Sequence, residues 1–194
     1  YNRFTDCATA CSFGAVCSNS QISSNVFLNN GTGLSIRSNS GASVRFNAFT
    51  GHSTFALDLR QCSNASVLNN RIENNLTATG IRANRSSVRL ILNRIASNQA
   101  GMKLTASGLP GADKNSIFGH SPYNLITDRP TDITNVWWGT TVARQIRNTI
   151  LGPVGFSNFT PYRLLGPFDT GRDADVIPPP VPTVRWVAPY RLLP

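Results

Sequence analysis

The sequence predicts an all-β chain wound as a parallel β-helix, and three recurring features carry that expectation. An Asn-x-apolar triplet returns at Asn25, Asn47, Asn70, Asn93, Asn115 and Asn135, at spacings of 22, 23, 23, 22 and 20 residues. Five residues after each of the first five comes a second polar column: Asn30, His52, Asn75, Asn98 and His120. Three residues before the first four sits an apolar residue (Ile22, Val44, Val67, Leu90), and eight to ten residues after the first five lies Gly33, Phe55, Gly80, Gly101 or Tyr123.

The period dictates the architecture. About 22 residues hold two or three strands of roughly three to five residues joined by tight turns. Such a unit cannot bury its apolar face alone, but stacked on a copy of itself every strand pairs in parallel with its equivalent in the next turn. An Asn repeated at one corner can bond its side-chain amide to the Asn above and below, and it tolerates the left-handed backbone of a corner.

The elements follow in order. Residues 1–18 hold Cys7, Cys11 and Cys17 and are expected to cap the open end, whose unpaired strand would otherwise recruit another chain. Residues 19–139 form the β-helix: four regular rungs to residue 105, then a degenerate fifth and a closing turn, interrupted by a loop at Gly108-Leu109-Pro110-Gly111. Residues 140–168 are a closing segment in which Val142-Ala143-Arg144-Gln145-Ile146 reads as a short helix. Residues 169–194 are a Pro-rich linker and arm, stiff at Ile177-Pro178-Pro179-Pro180-Val181-Pro182, with Thr183–Val187 as one strand. Pro161-Tyr162-Arg163-Leu164-Leu165 recurs as Pro189-Tyr190-Arg191-Leu192-Leu193. That repeat suggests that Tyr190, Leu192 and Leu193 dock on a neighbouring subunit, giving a head-to-tail homo-oligomer or filament.

Asn70-Arg71-Ile72-Glu73-Asn74-Asn75 and Asn93-Arg94-Ile95-Ala96-Ser97-Asn98 resemble the right-handed parallel β-helix repeats of the pectin-lyase-like superfamily. Asn135-Val136-Trp137-Trp138-Gly139 looks like the closing motif of many bacterial members, and Val154–Leu164 like the segment that follows it. The resemblance covers residues 19–166 and implies a right-handed coil of five to six rungs. It leaves function open, because this fold hosts lyases, hydrolases, tailspikes, adhesins and non-catalytic surface proteins.

Composition narrows the classes. At 194 residues, 40% hydrophobic and 14% charged, the chain suits one domain with a real core and excludes disorder. No run of about 18 apolar residues occurs, so no membrane span is expected. The chain opens at Tyr1 without an initiator Met, as a processed product does, and is expected to be secreted, extracellular or at the cell surface. Its four Cys then suggest two disulfides. Cys17 and Cys62 each precede a ladder Asn by eight residues, two rungs or nearly 10 Å apart, so Cys62 should pair with Cys7 or Cys11 or stay free.

Between residues 19 and 105 the only carboxylates are Asp58 and Glu73, 11 and 3 residues past their ladder Asn. They are expected on different faces, with no carboxylate–arginine set recurring between rungs. The favoured reading is therefore a non-catalytic structural or adhesive protein without cofactor or metal. Under the alternative the resemblance allows, a polysaccharide lyase or glycoside hydrolase or its accessory domain, Asp58 and Glu73 would be the catalytic residues and Ca2+ the cofactor. His52 and His120 read as structural corner residues about 14 Å apart, too far for one metal.

Eighteen Lys+Arg stand against nine Asp+Glu, a net charge of +9, which points to an anionic partner. Arg71 and Arg94 follow ladder Asn residues, and Arg37, Arg82 and Lys103 lie on the strand after the Gly column. Together they would form a stripe spaced to bind an anionic polysaccharide or cell-surface glycan. Nucleic acid is disfavoured: no recognisable module appears, and Phe27, Phe49 and Phe55 fall in core or corner registers.

Overall fold

The computed structural model describes residues 1–14, 17–131, 133 and 135–153. The expected arm, with Tyr190, Leu192 and Leu193, and the Val154–Leu164 segment lie outside the described residues.

Nineteen strands, numbered along the chain, fall into three parallel sheets among the described residues. The first sheet stacks β1 (Arg3–Thr5), β4 (Val26–Leu28), β7 (Ala48–Thr50), β10 (Arg71–Glu73), β13 (Arg94–Ala96), β16 (Asn115–Phe118) and β18 (Val136–Trp137). The second stacks β2 (Thr9–Phe13), β5 (Thr32–Arg37), β8 (Phe55–Arg60), β11 (Thr79–Asn84), β14 (Ala100–Thr105), β17 (Tyr123–Thr127) and β19 (Ile150–Leu151). The third stacks β3 (Gln21–Ser23), β6 (Ser43–Arg45), β9 (Ala65–Leu68), β12 (Ser87–Ile91) and β15 (Gly108–Asp113). Each strand pairs with its equivalent one turn away, which makes a parallel solenoid of about six turns.

Three corners per turn share one backbone recipe. At the first, Ser24, Phe46, Asn69, Leu92 and Lys114 adopt φ of 58, 56, 52, 55 and 52° and are followed by Asn25, Asn47, Asn70, Asn93 and Asn115. At the second, Asn29, Gly51, Asn74, Ser97 and Gly119 turn the chain before Asn30, His52, Asn75, Asn98 and His120. At the third, Ser38, Gln61, Arg85 and Ala106 precede Asn39, Cys62, Ser86 and Ser107. The left-handed residue is thus the one before each ladder side chain, not the ladder Asn itself. Phe46 and Leu92 have no intrinsic liking for that conformation, so the cost of roughly 1–2 kcal/mol is offset by the corner bonds that follow.

Those bonds run rung to rung. Asn70 Nδ2 donates to Val44 O (2.8 Å), Leu68 O (3.0 Å) and Asn93 Oδ1 (3.0 Å), while its Oδ1 accepts from Asn47 N (3.0 Å) and Nδ2 (3.1 Å). The ladder starts earlier than the triplet shows, because Asn2 N donates to Asn25 Oδ1 at 3.0 Å. It also ends earlier. In the register Asn115 faces Val136, so Asn135 occupies the turning position (φ 53°), is exposed, and donates to Asp113 Oδ1 instead.

Alternation along the strands sends one set of side chains inward. Phe4, Phe27, Phe49, Ile72, Ile95 and Ile117 form one continuous column, with neighbouring rings stacked at 5.0 and 4.6 Å. Leu34, Leu57, Ile81, Met102 and Leu125 line the second sheet, and Ile22, Val44, Val67 and Leu90 the third. At the far end Trp138, Ile133 and Ile146 of the helix α1 (Ala143–Asn148) join the core.

Three expectations are corrected. Residues 3–5 and 9–13 do not sit apart as a cap; they are strands in register with β4 and β5. Residues 108–111 are not a loop. They belong to β15, where an extra residue bulges opposite β12, and Pro110 is tolerated because an edge strand or bulge needs no N–H from it. All four cysteines are free: Cys62 is buried, Cys11 half-buried, and Cys7 and Cys17 exposed. Inter-rung pairing already closes every turn that a disulfide was expected to staple.

Candidate functional site

The outward face of the second sheet carries the densest polar chemistry of the coil. Asp58 sits in a column with Ser35, Arg82 and Lys103 on successive turns, and Arg60 lies two residues along β8 on the same side. Although it faces outward, the Asp58 side chain is only 3% exposed. Arg82 grips it with Nε on Oδ1 (2.7 Å) and Nη2 on Oδ2 (2.6 Å), and Arg60 Nε adds a 3.0 Å bond to Oδ2. The Arg82 guanidinium also lies 3.5 Å above the Phe55 ring. Phe55 therefore supports an arginine on the outer face rather than filling the core.

The first sheet repeats the device. The outward-facing Glu73 accepts from Arg71 Nε on its own strand and from Arg94 Nε one turn on (2.8 Å), and Arg94 lies 5.0 Å above the Phe118 ring. Asp58 and Glu73 do fall on different sheets, as expected. The expectation that no carboxylate–arginine set recurs between rungs is overturned. A carboxylate flanked two residues away by Arg, with a second Arg about one period later, was a signal available in the sequence had the period been applied to charges.

The single basic stripe is also corrected. Arg71 and Arg94 belong to the first sheet; Arg37, Arg82 and Lys103 belong to the second. Within the second, Arg82 and Lys103 share a column, but Arg37 pairs with Arg60 in the column beside it. The Gly column likewise divides: Gly33 aligns with Ala56, Gly80 and Gly101, whereas Phe55 and Tyr123 align with Thr32, Thr79 and Ala100. A Cβ on Gly101 would stand 2.4 Å from Asn124 O and 2.8 Å from the His120 ring, so the register admits almost no side chain there.

The two histidines are corner acceptors. Asn30 N lies 3.2 Å from His52 Nδ1 and Asn98 N 3.0 Å from His120 Nδ1, and each Nδ1 also stands 3.3 Å from the carbonyl oxygen of that same asparagine. His120 Nε2 then donates to Ile95 O at 3.0 Å. Burial lowers the pKa of both, His52 to about 4. Among the described residues no group of three His, Cys, Asp or Glu side chains is placed to hold a metal ion. A shallow cleft of about 340 Å³ lies elsewhere, at the β15 bulge, between Arg89, Leu109, Asp113 and Asn135.

Residues 1–137 match a family model described as the right handed beta helix region. Nothing among curated proteins or solved structures matches the chain.

Proposed function

The chain belongs to the right-handed β-helix family, and from that premise we propose that it is a non-catalytic structural or adhesive module of the cell surface or an extracellular assembly. Its outer sheet face is read as the surface that meets an anionic polysaccharide. One observation carries the reading. Both carboxylates of the central rungs, Asp58 and Glu73, are already gripped by two arginines each, so neither stands ready to move a proton or hold a cation. Arg37 and Lys103 are exposed on the second sheet and form no ion pair among the described residues, which leaves net positive charge for a ligand. Among the described residues no helix is long and apolar enough to cross a membrane.

The test joins a binding and a turnover measurement. Retention on immobilised polyanionic glycans is expected to weaken steeply as salt rises, because exposed charges are screened beyond about 10 Å at 0.1 M salt. Incubation with polygalacturonate and Ca2+ is expected to release no unsaturated product. Ca2+-dependent turnover that disappears in Asp58→Ala overturns the proposal in favour of a lyase.

A further inference from the structure

Two features of the second sheet lie outside the Asp58 grip. Arg37 and Arg60 face each other in direct register on adjacent turns, and like charges placed so repel. Arg60 has Asp58 to lean on; Arg37 has no partner among the described residues. Beside them lies Ser35, in register with Asp58 and two residues before Arg37 on the same face. Ser35 is 5% exposed, and its hydroxyl has no hydrogen-bond partner. An unpaired buried hydroxyl is costly to keep, and here it shares its face with Arg37 two residues along the strand and with Arg60 on the next turn.

We propose that Ser35, Arg37 and Arg60 form a binding site for a tetrahedral oxyanion, a sulfate or phosphate, either free or as an ester on a sugar chain. Adjacent strands are about 4.8 Å apart and alternate residues about 6.7 Å apart, so the three groups bound a space of one small anion. In the proposed complex the two guanidinium groups close over the ion and the Ser35 hydroxyl meets it from the strand beneath, directions that do not share a plane. A tetrahedral ion offers oxygens in all of them, whereas the two coplanar oxygens of a carboxylate are satisfied by one fork. A doubly charged ion also cancels the Arg37–Arg60 repulsion. The site rests on reading this face as the binding surface and names the ligand group it takes.

The experiment titrates the full, isotope-labelled chain with sodium sulfate at constant ionic strength, following backbone amide shifts. Parallel arms use inorganic phosphate, a sulfated monosaccharide, galacturonate and sodium chloride. Saturable shifts at Ser35, Arg37 and Arg60 with sulfate and phosphate, absent with galacturonate and chloride, are expected. Ser35→Ala and Arg37→Gln are each expected to weaken sulfate binding about tenfold, the worth of one charge-assisted bond. Both should leave the melting temperature in chloride unchanged or raised, since neither group has a native partner to lose. Tighter binding of the sulfated sugar assigns the site to esters; equal affinity assigns it to the free ion. Equal response to galacturonate, linear shifts shared with chloride, or full affinity in both variants overturns the site. Sulfate binding without retention on any glycan leaves the site standing and removes the adhesive reading. Glycan retention and sulfate affinity both unchanged in Arg37→Gln and in Ser35→Ala do the reverse.

Discussion

Each ladder asparagine meets every hydrogen-bonding demand of its corner, and this is why the residue cannot be exchanged for an apolar one of similar size. Asn70→Leu leaves the buried Asn47 N–H without its side-chain acceptor and takes the amide donor from the Val44 carbonyl, while the Leu68 carbonyl keeps the Phe46 N–H. The expected loss is about 1–3 kcal/mol, read from urea unfolding. Asn135→Leu, at an exposed turning position, is expected to cost under about 1 kcal/mol, and equal losses for the two would show that the ladder register is wrong. The histidines occupy the same kind of corner with a titratable acceptor. Burial keeps His52 neutral, because the charged ring would be poorly hydrated at this corner. Its folded pKa near 4 lies below the ordinary 6.5, so the unfolded chain takes up the proton first as pH falls. Stability is therefore full above about pH 6.5 and declines toward pH 4, by about 3 kcal/mol for this residue. His52→Asn keeps an acceptor, as Asn75 does one turn on, and unfolding curves at pH 7, 5.5 and 4 are expected to show a shallower decline, with the remainder from His120. An unchanged decline would assign the acid sensitivity elsewhere.

At the scale of the strands, the outer faces use charge where the inner faces use apolar columns. A six-residue strand such as β8 turns Leu57 and Leu59 to the core and Asp58 and Arg60 to the outer face, where Asp58 is itself buried and an isolated carboxylate would be poorly hydrated beneath its neighbours. Arg82 reaches across one turn to solve that and so ties β8 to β11 through side chains as well as backbone. Arg82→Met leaves a 3%-exposed carboxylate with only Arg60, and a loss of about 3–5 kcal/mol is expected. Asp58→Asn combined with Arg82→Met is expected to recover much of that loss, because no uncompensated buried charge remains. A thermodynamic cycle over the two single variants and the pair measures it, and strict additivity would mean the bidentate contact contributes nothing. The bulge in β15 belongs to the same scale. Pro110 would remove a needed N–H from any interior strand, yet at the end of the third sheet it merely opens the contour beside Arg89.

The described coil stands on repetition. The turns up to β15 pair through three sheets and those beyond it through two, and no disulfide assists among the described residues. A thiol reagent is therefore expected to label Cys7 and Cys17 in the native protein and Cys62 only in denaturant, where its buried and pKa-raised thiol is released. Melting temperatures with and without reductant are expected to coincide. Protection of Cys7 or Cys17 from the reagent, restored to labelling by reduction, would instead establish a disulfide in solution.

The amino-acid sequence by itself determined the parallel coil, its period, both polar corner columns and the inward-facing apolar residues. It did so because a solenoid writes each local contact once per turn, and a contact repeated six times becomes visible as spacing. The short helix near Val142 was legible for the ordinary reason that a few helix formers adjoin without a breaker. Tertiary structure alone decided what is not repeated. Whether Asn135 is a ladder member or a turning residue depends on a one-residue offset that shifts it from buried to exposed. Whether Arg37 joins Arg82 or stands beside it depends on two residues along a strand, which the Gly-to-Gly spacing blurred. The arginine grips on Asp58 and Glu73, and the unpaired hydroxyl of Ser35, arise from how side chains bend over a face once the register is set. Spacing names the column a residue stands in, but only packing says which neighbour it reaches.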